Sequence, residues 1–187
     1  EQGVEIASIG VQIHGGMGFV EETGAAQFLR DARITTIYEG TTGIQAADLV
    51  GRKTGFEKGA TAFALINEMR KCDAELAASK NPDVAAMREN LKRAIDGLVA
   101  ATQWVVDTFP ANPNAVAAVS VPFLKLWGTA AGGWLMARAA LIAEAKLAVG
   151  DDAEFCRAKI ITARFYAEHV LPQAAGLVGT VTGGSAS

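Results

Sequence analysis

VAAMRENLKRAIDGLVAATQWV, residues 84–105, is the stretch whose pattern sets the architecture. Val84, Met87, Leu91, Ala94, Leu98, Ala101 and Val105 recur at alternating steps of three and four, the period of an apolar helix seam that packs on neighbouring helices at a shallow angle. Asn81-Pro82-Asp83 opens it with a side-chain cap, a proline whose missing N–H does no harm, and an early acid. On its N-terminal side, residues 61–79 place Ala62, Leu65, Ile66, Met69, Cys72 and Leu76 on one stripe of a preceding helix.

On its C-terminal side, Asn112-Pro113 repeats the opening signal, and the helix that follows must bend or break near Pro122. Its later part holds Gly128 and Gly132, small residues four apart that permit close helix contact. Gly150 stops it. Asp151-Asp-Ala-Glu154 has a capping-box-like spacing, with Asp where Ser or Thr is usual. The last long helix is expected to run to about Val170, before Pro172, and the tail from Gly179 onward is expected to fray.

The first third is also helical. Val4, Ala7 and Val11 share one face of a helix that ends at Gly15-Gly16, and the loop GGMGFVEETG follows. A second helix is expected from Ala25 to about Ile37, with Ala25, Phe28, Leu29 and Ala32 inward. A third begins near Thr41 or Thr42, where a hydroxyl can cap free amides, carries Ile44, Ala47 and Val50 on one side, and ends around Lys53. Gly51 to Gly59 (GRKTGFEKG) interrupts the apolar pattern and reads as the internal boundary. The expected fold class is all-α, a helical bundle, divided into residues 1–55 and 56–187.

Composition narrows the function. Half of the 187 residues are hydrophobic and 20% are charged, an ordinary globular balance. The net charge of −3 is spread without a basic block, so nucleic-acid binding is not favoured. Cys72 and Cys156 stand far apart, outside any metal or redox spacing, and are expected to be reduced, helix-borne thiols. With only His14 and His169 beside them, a zinc site is not expected. The most apolar stretch, Ala111 to Ala137, is cut by Lys125 and carries Pro113 and Pro122, so no membrane span is expected. The chain begins at Glu1, inside what reads as a helix, and no signal peptide is visible. It is expected to be a piece of a longer, soluble cytoplasmic protein.

Few residues invite chemistry. In ITTIYEGTTGIQ, residues 34–45, Glu39 is a lone acid between Tyr38 and Gly40. An acid at a helix entry ordinarily complements the helix dipole. Flanked by Tyr38 and Ile37 it could also be desolvated, which would raise its pKa and suit it to act as a base. QIHGGMG, residues 12–18, has three glycines that allow a sharp turn and close approach of a ligand. It follows a helix and not a strand, so it fails the context of a dinucleotide fingerprint and also reads as a helix stop. His14 alone reads as a packing or surface residue. Arg30-Asp31-Ala32-Arg33 could clamp an anion, or pair internally on a solvated face, the reading we favour. Met69, Met87, Trp104, Trp127 and Trp134 sit at helical spacing and read as core or interface.

Taken together, QIHGGMGFVEETGAAQFLRDARITTIYEGTTGIQ resembles the C-terminal helical segment of the FAD-dependent acyl-CoA dehydrogenases, with the QxxGGxGF turn, the RDAR helix and IYEGT in family order. The likeness covers about residues 1–53. Residues 56–187, including ARFYAEHVLPQAAGL, resemble the extra C-terminal helical domain of longer bacterial members, those acting on 3-methylmercaptopropionyl-CoA or related acyl thioesters being nearest.

The resemblance implies α,β-dehydrogenation of an acyl-CoA, with Glu39 as the base for the α-proton and its amide helping to polarise the thioester oxygen. It implies that Tyr38 and Gly40 border the acyl chain and that Thr41 touches FAD. Gln12, Gly15 and Gly16 would contact the FAD of a neighbouring subunit, implying a homodimer or homotetramer, and a separate acceptor such as an electron-transfer flavoprotein would take the electrons. Gly43 stands where many members carry a cofactor-contacting glutamine, and His14 where many carry an aromatic residue. The family's N-terminal helical and middle β domains lie outside this chain, so the fragment is expected neither to retain FAD nor to turn over acyl-CoA. The alternatives are a helical oligomerisation or interaction module and a noncatalytic relative.

Overall fold

The computed structural model describes residues 1–38 and 40–183, and among these every regular element is helical. The chain falls into two compact units, Glu1–Ala46 and Ala47–Ser187.

The first unit is built on α1 (Gln2–Ile13) packed against α3 (Ala25–Thr35). The stretch between them is more ordered than its glycine-rich sequence suggests: a single turn, α2 (Gly16–Phe19), precedes a 3-10 turn at Glu21–Thr23. Thr23 fastens this connection by donating its hydroxyl to the carbonyl oxygens of Met17 and Val20. α1 contributes no buried residue, and Phe28, expected inward on α3, is 73% exposed. Ile44, on the first turns of α4 (Thr41–Asp48), is exposed as well. Apolar periodicity in this unit therefore marks surface that the unit itself does not cover.

The second unit is a true bundle. α4 runs on into a wide π-helical segment, Leu49–Gly55, where hydrogen bonds reach back five residues: Phe56 N–H to Gly51 O and Gly59 N–H to Thr54 O, both 2.9 Å. Gly51 to Gly59, which interrupts the apolar pattern, is closely packed at Thr54, Gly55 and Gly59. Val50, Thr54 and Gly55 are buried, and a Cβ at Gly55 or Gly59 would collide with Phe109 or Phe63.

α5 (Ala60–Ala78) lies against α7 (Arg88–Thr108), and both lie against the long α9 (Ser120–Ala148). All seven seam residues from Val84 to Val105 are buried, together with Ile66, Met69, Cys72 and Leu76 of α5; Leu65 is exposed at the edge of its stripe. Each large apolar side chain so buried contributes roughly 1.5–3 kcal/mol. Met69 and Met87 are core, and the three tryptophans pack half-buried against it.

Both Asn-Pro openings work as caps. Asn81 Oδ1 accepts from the N–H of Asp83 at 2.9 Å, and Asn112 Oδ1 from that of Ala115 at 3.1 Å. The first opens only α6 (Pro82–Ala85); the chain turns at Ala86 and Met87 before α7 begins, so the seam spans a break. The second opens α8 (Pro113–Ala118), which ends at Val119, letting Pro122 fall harmlessly in the first turn of α9. Glu144 of α9 ties the α5–α6 corner down, accepting from Ser79 Oγ at 2.6 Å and from the Asn81 N–H at 3.1 Å.

α10 (Ala153–Phe165) packs along α9 and continues as a π segment, Tyr166–Val170. Three expectations are corrected here. The Asp151–Glu154 capping box is absent: Asp152 takes left-handed backbone (φ 44°) and caps with no side-chain bond, while Asp151 pairs with Lys146 at 2.9 Å. Close approach on α9 uses Gly132 and Gly133, which lie under Tyr166 and Leu171, and not Gly128, whose Cβ direction is open. The C-terminal stretch does not fray at Gly179. It forms α11 (Ala174–Gly183), held to α7 and α9 with Ala174 and Val181 buried.

Candidate functional site

The candidate residues all fall in the first unit, at two places along it. Glu39 lies outside the described residues. Its neighbours frame a corner: the chain leaves α3 through turns in which the N–H groups of Ile37 and Tyr38 both donate to Ile34 O. Gly40 takes a positive φ of 91°, which only glycine adopts without strain, and α4 begins at Thr41. Thr41 also has positive φ (56°), an uncommon conformation for a residue with a branched Cβ, and its Oγ1 accepts from the Ile44 N–H at 3.4 Å. The hydroxyl thus caps the helix, as its position predicts, through a long bond.

Beside this corner lies an open cleft of about 710 Å³. Val4, Glu5 and Ser8 of α1 form one wall, Arg33, Thr36 and Ile37 another, and Thr41, Thr42 and Gly43 the third. Sequence reasoning missed Arg33. It was grouped with Arg30 and Asp31 as an internally paired cluster, but the partners are different. Arg33 donates to the Thr36 hydroxyl at the cleft, Asp31 accepts from Gln27 at 2.6 Å, and Arg30 reaches Gln27 at 2.9 Å and Glu21 at 3.5 Å. The three-residue step from Arg33 to Thr36 was the available signal, because side chains so spaced share a helix face.

Tyr38 is 69% exposed and Ile37 48%. The aromatic and aliphatic neighbours that could have dried this corner are themselves in water, so a low-dielectric environment here requires apolar surface from beyond the first unit.

The glycine turn lies at the opposite end of α1, roughly 15 Å from Glu5 at the helical rise of 1.5 Å per residue. Its glycines divide the work. Gly15 supplies the positive φ (61°) that ends α1, and nothing lies within 4 Å of a Cβ at Gly15 or Gly16, leaving that backbone open. Gly18 is buried, where a Cβ would collide with the Val11 carbonyl and stand 2.8 Å from the His14 Cβ. Gln12 and His14 are exposed, and the His14 ring bonds through Nδ1 to Gly10 O at 2.9 Å, a local contact. The structure therefore brings Thr41 and Gly43 into one cleft beside Ile37, and places Gln12, Gly15 and Gly16 elsewhere.

No cluster of three or more metal-ligating side chains occurs among the described residues, and no helix among them is long and apolar enough to cross a membrane.

Residues 64–187 match the family described as acetyl-CoA dehydrogenase C-terminal like, and residues 1–54 match the acyl-CoA dehydrogenase C-terminal domain. Several relatives align along most of the chain. A 3-methylmercaptopropionyl-CoA dehydrogenase of Ruegeria pomeroyi is 51% identical over 91% of this chain and 29% of its own length. A butyryl-CoA dehydrogenase of Syntrophomonas wolfei is 35% identical over 91% and 28%, and a broad-specificity linear acyl-CoA dehydrogenase of Mycobacterium tuberculosis 33% over 87% and 28%. The chain spans less than a third of the length of these relatives. The chain thus belongs to the acetyl-CoA dehydrogenase C-terminal-like family, its second unit carried behind the C-terminal domain of an acyl-CoA dehydrogenase.

Proposed function

We propose that this chain is the base-bearing C-terminal part of an FAD-dependent acyl-CoA dehydrogenase, organised as residues 1–55 of the dehydrogenase C-terminal domain and 56–187 of an additional helical domain. Matches that end at residue 54 and resume at 64 support that division. One observation carries the reading of the site: Ile37 and Thr41, two residues to either side of Glu39, line one cleft.

In this reading the Glu39 carboxylate removes the α-proton of an acyl-CoA thioester. Its backbone N–H donates to the thioester oxygen, where negative charge accumulates as the proton leaves. Gly40 leaves room for the acyl chain, which Tyr38 borders. FAD, held by Thr41 and by Gln12, Gly15 and Gly16 of a neighbouring subunit, would supply the acceptor for the β-hydride, and a separate protein such as an electron-transfer flavoprotein would take the electrons onward.

The residues present fit such a group. The Thr41 hydroxyl and the α4 N-terminus offer a donor and free amides at the cleft, and the unobstructed Gly15-Gly16 backbone admits close approach. That these two places lie far apart on one unit suits contacts to two different flavins, Thr41 to its own and Gln12, Gly15 and Gly16 to that of a neighbouring subunit. A homodimer or homotetramer follows. The name and identity of the Ruegeria relative support 3-methylmercaptopropionyl-CoA or a related thioester as substrate.

The test is Glu39→Gln in the full-length parent, assayed with an artificial electron acceptor. Turnover should fall by about 10²–10⁴-fold with FAD retained, the range for losing a positioned base. Undiminished turnover would remove Glu39 from the role of base, and a wild-type parent without turnover would be a noncatalytic relative.

A further inference from the structure

α5 and α7 pack together as antiparallel neighbours, and two ion pairs join them across their outer edge. Asp73 of α5 accepts two bonds from the Arg88 guanidinium of α7, at 2.8 and 2.9 Å. Arg70, one turn back on α5, reaches Asp96 of α7 through a single contact of 3.3 Å. Arg88 and Asp96 lie about 12 Å apart along α7 at the helical rise of 1.5 Å per residue, so the pairs stand toward the two ends of a slot. The slot holds about 210 Å³. Leu76, Leu91 and Ile95 form its apolar floor, and none of them is more than 4% exposed.

The charges on the rim limit what the slot can take. Lys92 stands between the two pairs on the same face of α7, four residues from Arg88 and four from Asp96. It is exposed and has no ion pair among the described residues. Arg88 holds the Asp73 carboxyl below its usual range, and the nearby Lys92 charge adds to that effect. The rim carries three cations and two acids, so one positive charge is left over once both pairs have formed. Arg88 has spent its fork on Asp73, whereas Arg70 gives Asp96 one N–H and keeps others free.

An apolar floor under a single surplus cation is complementary to a monoanion with an apolar body. A compact dianion gains nothing from the floor and meets two carboxylates at the rim, and a neutral hydrocarbon leaves Lys92 unanswered. The volume lies below the roughly 300–1,000 Å³ of sites for drug-sized ligands, which restricts the body to a few carbons. We propose that the slot between α5 and α7 is a binding site for a short-chain monocarboxylate, its chain on Leu76, Leu91 and Ile95 and its carboxylate on Lys92. The site stands apart from the dehydrogenase reading, which rests on the first unit.

Methyl NMR of the 187-residue chain tests it, with hexanoate as the probe at constant ionic strength. Hexanoate should shift the Leu91 and Ile95 methyl signals saturably, with a Kd of about a millimolar, the scale open to so small a ligand. Hexan-1-ol, which keeps the chain and lacks the charge, should bind at least about threefold more weakly, and inorganic phosphate should leave these methyls unmoved. Lys92→Gln should weaken hexanoate about three- to fivefold, the worth of one exposed charge pair, without changing the affinity for hexan-1-ol. Lys125→Gln, on α9, should bind hexanoate as the wild type does. The proposal is overturned if hexanoate causes no saturable shift, or if hexan-1-ol binds as tightly. Phosphate shifting the same methyls overturns it too, as does Lys92→Gln matching the wild type or Lys125→Gln weakening hexanoate equally.

Discussion

Gly55 faces the ring of Phe109, so close that a Cβ on the glycine would stand 2.6 Å from the ring's Cγ. Both groups belong to the second unit, and Phe109 also makes an edge-on contact with Phe56, ring centres 5.2 Å apart. Gly55→Ala should therefore destabilise the chain by about 1–3 kcal/mol, the cost of overpacking, despite the better helix propensity of alanine. Gly176→Ala, open on its Cβ side, should be neutral or stabilising. Urea denaturation of the two variants compares them directly.

Cys72 is buried in the seam between α5 and its neighbours, and burial pushes its thiol up to about 11, with the Glu75 charge adding to the effect. A group whose pKa is raised by folding favours the native state below its unfolded value, near 8.5, and that contribution is lost as pH rises through about 11. In a Cys156→Ala background, Cys72 should resist an aromatic disulfide reagent at neutral pH and react only as the chain opens in urea. Immediate labelling of the folded protein would contradict this.

Asp48 shows the opposite sign. Arg52 donates to both its oxygens, at 2.7 and 2.9 Å, and with Lys53 at 3.2 Å holds the carboxyl at about 2. A depressed carboxylate supports the native state above the ordinary carboxylate range and loses that support as pH falls toward 2. Arg52→Ala should return the Asp48 midpoint toward 4, read by carboxyl carbon NMR, while leaving the neutral-pH fold unchanged.

The isolated chain should carry no stoichiometric flavin after purification and show no acyl-CoA turnover. Its cleft is open, and Tyr38 and Ile37 are in water, so neither tight cofactor retention nor a dry base is supplied from within. Absorbance in the flavin band at the level of one FAD per chain would refute this.

What could be read from residues alone follows from where the burial partner resides. The Val84–Val105 seam was legible because its partners are in the same unit, and both asparagine caps because their bonds are local. The inward face assigned to Phe28 failed because periodicity reports which side seeks cover, not whether this unit supplies it. α11 was missed for the reverse reason. The tail from Gly179 onward reads as frayed, and burial of Ala174 and Val181 against α7 and α9 overrides the weak propensity of its glycines and threonines through Gly183. At the site, Thr41 and Gly40 were legible through backbone chemistry, whereas Arg33 was hidden because its partner lay on the next turn and not in the charge cluster.

The π-helical turn at Leu49–Gly55 leaves one surplus residue between the ladder of α4 and the corner at Phe56. That surplus resets the helix's angular frame, turning Val50, Thr54 and Gly55 inward together. Deleting a single residue here would let the backbone close into an ordinary ladder without breaking it, yet would rotate the segment's inward side off Phe109. This segment is thus tolerant of lost length in its hydrogen bonding and intolerant of it in its phase.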